Sequence, residues 1–247
     1  MRVEFLGTGG FHPNERRHTA CIMFPEIGLI FDAGTSAFRV PKKIQTDTLE
    51  LFLTHAHLDH TCGLTYLITP PLTGQIEKLR LYGRPDVLAA VQDQLFSELV
   101  FPVPAPFEFH SIEDEGSLTL LSGHRLEWMK LINHPGFSTA YKITFEDQTF
   151  AYVTDTIVDE TYKDFIRGVD TLVHECYFPD SKTKWANHTG HSHATPVAEL
   201  ANEAEVGRLI VVHVDPMDES DDPIGLPGMQ EIFPQTIIAE DGLTLDL

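Results

Sequence analysis

Along the chain, short apolar runs alternate with polar, turn-forming segments. The runs at 2–6, 20–24, 28–32, 49–54, 79–82, 125–132, 141–145, 149–154, 171–174 and 208–212 are rich in β-branched, aromatic and leucine residues. Their length and composition read as strands. Helical spacing appears at 59–68, 85–99, 159–166 and most clearly at 195–206, TPVAELANEAEV, with Pro196 near its start and Gly207 beyond its end. Strands interleaved with helices along the whole chain predict an α/β layered domain. The three prolines of FPVPAPFEF, 101–109, predict an extended connection, and DPMDESDDPIGLPG, 215–228, a polar loop.

The polar residues that follow these strands are not a random set. LELFLT runs into His55, LEWMKLIN into His134, FAYVT into Asp155, DTLVH into Glu175 and RLIVV into His213. One histidine after a strand is an ordinary structural hydrogen-bonder. Five strand endings drawn only from ligand and proton-carrier types point to one convergent site, because ligands of open α/β sheets bind at the carboxyl ends of strands.

The stretch LFLTHAHLDHTCG, 51–63, concentrates this chemistry. His55 and His57, two apart in an extended or turning segment, can address one point. Asp59 and His60 follow at the next turn and can hold a second ion beside the first. Two divalent ions held roughly 3.5–4 Å apart form a clamp for hydrolysis. Imidazole and carboxylate donors suit zinc, with manganese or iron as alternatives. The competing explanation, a helix start with incidental histidines, has to account for four ligand types in six positions. Cys62 reads as a small residue in that helix start, and GTGG, 7–10, as a tight turn after the first strand.

Bulk properties narrow the setting. The 247 residues suit a single domain, 1–247. No segment approaches the roughly 20 apolar residues of a membrane helix, and MRVEFLGTGG is not patterned as a signal peptide. Three scattered cysteines, Cys21, Cys62 and Cys176, fit a reducing, cytoplasmic location better than a disulfide framework. The net charge of −20 weighs against nucleic-acid partners by surrendering the counterion-release term. It also serves solubility.

THAHLDHTCG resembles the HxHxDHxxG signature of the metallo-β-lactamase superfamily, and NHPG, VTDT and VVHVDP supply the remaining motifs in the family's order. The resemblance extends over essentially the whole chain, including FLGTGG and IFDAGT. It implies an αββα sandwich with a dinuclear site on one edge. His55, His57 and His134 would hold one metal, Asp59, His60 and His213 the other, and Asp155 would bridge them. Asp32 matches a position that orients the ligand loop by hydrogen bonding, the kind of support metal histidines need.

Within that superfamily, LVHECYF followed by GHSHATPVAELANEAEVGRLIVVH is similar to ribonuclease Z, the tRNA 3′-processing endonuclease. The resemblance implies that Glu175 and His191 cooperate in proton transfer beside the metals, with Asp59 as a further catalytic group. Glu175 would orient the His191 ring and favour its charged form. A phosphodiester has a poor leaving group, so a general acid there is valuable. His193 is better explained as a helix-start or surface residue, and His188 is weaker still. Two features depart from the ribonuclease Z pattern. Only 20 residues separate His134 from Asp155, leaving no room for the family's tRNA-gripping arm, and HVDPMDESDD replaces its phosphate-holding segment after the last histidine. The resulting expectation is a dinuclear phosphodiesterase acting on a small or cyclic phosphodiester, without a membrane role and with homodimerisation open. The alternatives are tRNA 3′-processing and a thioesterase- or lactonase-type hydrolase.

Overall fold

A computed structural model describes residues 1–247. The chain forms two compact units, residues 1–114 with 241–247, and residues 115–240. Each is built on one seven-stranded mixed sheet. No helix is long and apolar enough to cross a membrane. The three cysteines are free, with Cys21 and Cys176 buried.

The first unit contains β1 (Arg2–Gly7), β2 (Cys21–Phe24), β3 (Leu29–Phe31), β4 (Thr48–Phe52), β5 (Lys78–Gly83), β6 (Glu108–Ser111) and, returning from the C-terminus, β14 (Thr244–Asp246). Their order is β14-β1-β2-β3-β4-β5-β6. β3, β4, β5 and β6 are parallel, so their C-terminal ends share one edge. Alternation assigns the faces. Leu49, Leu51, Leu79 and Leu81 join a core cluster with Ala37, Val40, Leu64, Val87 and Val91. On the alternate face, Phe52 of β4 and Tyr82 of β5 belong to a cross-strand aromatic row, Phe31–Phe52–Tyr82–His110. Within it Phe52 and Tyr82 stack at 4.3 Å and Tyr82 and His110 at 4.8 Å.

Its helices are short: α1 (Leu58–Thr61), α2 (Thr69–Leu72) and α3 (Pro85–Ala90). The helix expected over 59–68 is therefore one α-turn followed by a 3₁₀ turn at Cys62–Thr65. The helix expected over 85–99 is α only to Ala90 and widens to a π-turn at Val91–Leu95. Periodicity alone does not distinguish these tighter and wider turns.

The second unit contains β7 (Glu115–Thr119), β8 (Arg125–Leu131), β9 (Ser138–Thr144), β10 (Thr149–Val153), β11 (Thr171–Glu175), β12 (Arg208–Val212) and β13 (Thr236–Ile238). β7 to β10 form an antiparallel meander, and β10 to β13 are mutually parallel. Two antiparallel steps return β8 to the direction of β10. The C-terminal ends of β8, β10, β11 and β12 thus lie at one edge.

Helices α4 (Lys163–Ile166), α5 (Thr183–Thr189), α6 (Ala194–Glu203) and α7 (Leu226–Ile232) complete it. α6 buries Ala194, Val197, Ala198, Leu200 and Ala201, which pack in one cluster with Ala151, Val153, Leu172, Leu209 and Val211 of the sheet. Each buried side chain of valine or leucine size contributes about 1.5–3 kcal/mol. Asp180 caps α6 from outside, its carboxylate accepting from the Thr195 amide at 2.9 Å and hydroxyl at 2.6 Å. The helix stops earlier than Gly207, because Glu205 takes the left-handed conformation at φ 55°. The expected helix over 159–166 shrinks to α4, and β6, β7, β13, β14, α2, α5 and α7 lie outside the expected elements. These are short or half-exposed segments, whose apolar pattern is too brief to read.

Candidate metal centre

In the first unit, β3 and β4 are parallel neighbours, so Asp32 and the segment 53–55 emerge side by side. Asp32 turns sharply, at φ 58°. Its Oδ1 accepts from the Thr54 amide at 2.8 Å, and its Oδ2 lies 2.8 Å from His60 Nδ1. An ionised carboxylate only accepts, so His60 carries its proton on Nδ1 and keeps the Nε2 lone pair. The Thr54 hydroxyl donates to Asp32, leaving its oxygen to accept from His55 Nδ1 at 3.0 Å. His55 is thereby fixed in the same tautomer. Asp32 matters as expected, and Thr54, which no pattern singled out, carries its influence to a second imidazole.

His57 is the N-cap residue of α1, extended at φ −62° and ψ 149°, and its ring sits edge-on to His55 at 4.5 Å. The two present ligand nitrogens within 4.8 Å of each other, as do His60 and the carboxylate of Asp59. Asp59 is not a helix cap. Its Oδ2 accepts from the Phe11 amide at 2.8 Å and lies 3.5 Å from His60 Nε2.

In the second unit, His134, Asp155, Glu175 and His213 stand at the shared strand edge. All are buried, with 5, 2, 0 and 2% of their surface exposed. Asp155 and His213 are both in the left-handed region, at φ 49° and 58°. Such strain in non-glycine residues is tolerated where a site requires it. His134 Nδ1 donates to the Gly190 carbonyl at 3.0 Å, leaving Nε2 as the bare nitrogen. Gly190, at φ 79°, has no space for a Cβ, which would lie 2.7 Å from Pro135 Cδ. Asp155 then offers one oxygen to each neighbour: Oδ2 lies 3.7 Å from His134 Nε2, and Oδ1 lies 3.3 Å from His213 Nε2.

This donor set fits a cation. The bare Nε2 of His134, facing Asp155 Oδ2 at 3.7 Å, sets lone pair against lone pair unless a positive charge lies between. A proton on His134 is disfavoured, since burial pulls its pKa down more strongly than the Asp155 charge raises it.

Glu175, fully buried, is a hub. Oε1 accepts from the Thr156 amide at 2.7 Å and from His191 Nδ1 at 3.0 Å, while Oε2 accepts from the Ser192 amide at 3.1 Å. His191 is sandwiched by aromatic rings: Tyr177 stacks on it at 4.6 Å and 24°, and His213 lies at 5.4 Å and 28°. Glu175, His191 and His213 hold their ligand atoms within 4.8 Å of one another. His193 goes elsewhere, pairing with Asp180 at 2.6 Å, and His188 is exposed on α5. The roles of Thr156, Tyr177 and Ser192 do not follow from residue type, although the three lie inside VTDT, LVHECYF and GHSHATPVAELANEAEVGRLIVVH respectively.

The model of the β-lactamase superfamily domain matches residues 29–214, most of the chain. The chain belongs to the β-lactamase superfamily. A ribonuclease Z from Methanosarcina acetivorans is 26% identical over 303 aligned positions, covering all of this chain and 98% of the relative. That span exceeds the 247 residues here, so the relative carries segments this superfamily member lacks. Among solved structures, the metallo-β-lactamase fold protein YhfI from Bacillus subtilis superposes with a TM-score of 0.82 at 21% identity, covering 99% of this chain and 98% of that one. The short form of human tRNase Z (ELAC1) gives 0.76 at 19% identity, covering 100% and 99%. These likenesses show the fold, the α/β architecture of the metallo-β-lactamase type. The chain is a metal-dependent hydrolase of this superfamily, and its histidine and aspartate cluster is able to hold metal.

Proposed function

We propose that His55, His57, His134, Asp59, His60 and His213, with Asp155 as a bridge, hold two divalent ions and that the centre cleaves phosphodiesters. Zinc suits the imidazole and carboxylate donors best, with manganese or iron as alternatives. Two such ions supply Lewis-acid polarisation and an acidified water. Residues 1–247 are read as one hydrolase domain. The two oxygens of Asp155, directed separately at His134 and His213, support its bridging role.

The observation that carries the phosphodiester reading is the hydrogen bond between His191 and the buried Glu175. Glu175 holds Nδ1–H, so His191 can present Nε2 to a leaving oxygen and hand over a proton. Asp59, tethered by the Phe11 amide, provides an acceptor for the proton of the attacking water.

The sequence places a small or cyclic phosphodiester first as substrate. The curated relatives shift that order, since the ribonuclease Z named above aligns over the whole chain. We therefore read RNA 3′-end cleavage of the ribonuclease Z type as the leading function. The small-substrate reading keeps one specific support: His134 and Asp155 are joined by the compact β9–β10 hairpin, whose turn is residues 145–148.

Purified protein supplied with zinc or manganese, given a precursor tRNA with a 3′ trailer and separately bis(p-nitrophenyl) phosphate, tests both. Trailer removal, lost in His191→Ala, supports the leading function. Turnover of the small ester alone supports the second. Activity on neither, or esterase activity indifferent to His191→Ala, defeats the phosphodiester reading and favours a thioesterase or lactonase.

A further inference from the structure

The turn that follows His134 has a composition the metal chemistry does not require. Pro135 and Gly136 form its corner, with Gly136 at φ 81° and the Phe137 amide donating back to the His134 carbonyl at 2.9 Å. This is the geometry of a type II turn, in which proline and glycine belong. Phe137 does not belong there by conformation. It is a bulky residue in the left-handed region, at φ 63°, and 41% of its surface is exposed. A glycine or asparagine would sit at that position without strain, and a polar residue would face water at no hydrophobic cost. Both penalties fall on a residue three positions from a candidate ligand. Unfavourable backbone of this kind persists where a site depends on it.

The second observation is a charge. Lys130 Nζ stands 4.3 Å from the centroid of the Phe137 ring. In a chain of net charge −20, a lysine held against an exposed aromatic ring beside the centre is a local exception. An aromatic face plus an adjacent ammonium matches a planar base carrying a phosphate.

We infer that Phe137 and Lys130 form a nucleotide-recognition pair, the ring stacking on a base and the ammonium attracting its phosphate. This deepens the phosphodiesterase reading by naming the specificity element, and rests on that reading only for the turnover arm of the test. Stacking tolerates any base, because every base offers a π-face.

Two measurements separate this pair from the function itself. In the first, thymidine 5′-(p-nitrophenyl phosphate) and methyl p-nitrophenyl phosphate are compared as substrates. They share a leaving group, so the ratio of their kcat/KM values reports the nucleoside alone. The ratio is expected to be roughly tenfold in the native protein, kept in Phe137→Tyr and reduced to near one in Phe137→Gly, which removes the ring and relieves the backbone. In the second, equilibrium binding of thymidine 5′-monophosphate is compared with that of methyl phosphate in the same three proteins. Binding that favours the nucleotide and depends on the ring supports the pair even if neither ester is turned over, an outcome that defeats only the phosphodiesterase reading. Turnover of the methyl ester with no nucleoside preference, or a preference that survives in Phe137→Gly, overturns the pair and leaves that reading standing.

Discussion

His191 Nδ1 lies 3.0 Å from Glu175 Oε1, and the carboxylate it meets is entirely buried. A buried carboxylate is stable only when its lone pairs are occupied. Here the Thr156 and Ser192 amides and one imidazole share the task. Under the proposed function the pair is both a proton-transfer device and a piece of the frame, which sets two different expectations for its two members.

His191→Ala removes the proposed proton donor and leaves the Glu175 amide contacts in place. The expected result is a loss of about 10²–10⁴ in kcat with bound metal nearly unchanged. Glu175→Gln turns an NH₂ toward donors that need an acceptor, and should lose activity together with about 1–3 kcal/mol of stability. Kinetics, metal analysis and urea unfolding of the two variants check the split. Equal stability losses would contradict it.

Asp32 touches no candidate metal position, yet it fixes the tautomer of His60 directly and of His55 through Thr54. Asp32→Asn is expected to weaken metal binding by about 10–100-fold, measured by competition with a chromogenic chelator. Thr54→Val should show a smaller loss of the same kind. Because a metal bound only to the folded state stabilises it, chelator should lower Tm in the native protein and by less in Asp32→Asn.

Asp155 directs its two oxygens to two different imidazoles. Asp155→Asn keeps the shape but leaves only one oxygen, so metal analysis should find fewer ions per chain. Activity should fall at least as far as in His191→Ala. A variant that keeps two ions per chain would remove Asp155 from the bridging position.

Acid sensitivity has a source in a buried histidine that is not itself a candidate ligand. His174 is fully buried, donating from Nδ1 to the Glu175 carbonyl at 2.6 Å and accepting the Tyr162 hydroxyl at Nε2, 2.9 Å away. Burial, the largest influence, holds its pKa below the ordinary 6.5. The unfolded chain therefore takes up this proton first as pH falls. The stability tied to neutral His174 is complete above about pH 6.5 and declines below it toward the folded-state pKa. Urea midpoints should drop between pH 7 and 5, and the drop should be shallower in His174→Gln. It should not vanish, since burial lowers the pKa of His134 as well.

The strand frame and the cast of the site were legible in the residues themselves. Ten of the apolar runs are strands in the structure, and the residue types that follow them announced a single chemistry. HAHLDH placed four donors in six positions, a density that needs no tertiary knowledge to notice. Short edge strands and single-turn helices were not legible, because three to five residues give too little periodicity to separate from a loop.

What the sequence by itself determined was the set of donors, since side-chain chemistry is a property of residues and survives any fold. What only the tertiary structure decided was aim. Which nitrogen of His60, His55 and His134 is bare depends on Asp32, Thr54 and the Gly190 carbonyl, and these come from chain positions as far as 56 residues away. The left-handed turns at Asp32, Asp155 and His213, and the stacking of Tyr177 on His191, follow from neighbouring strands ending together. No local pattern encodes them, because their cost is borne by packing elsewhere in the sheet.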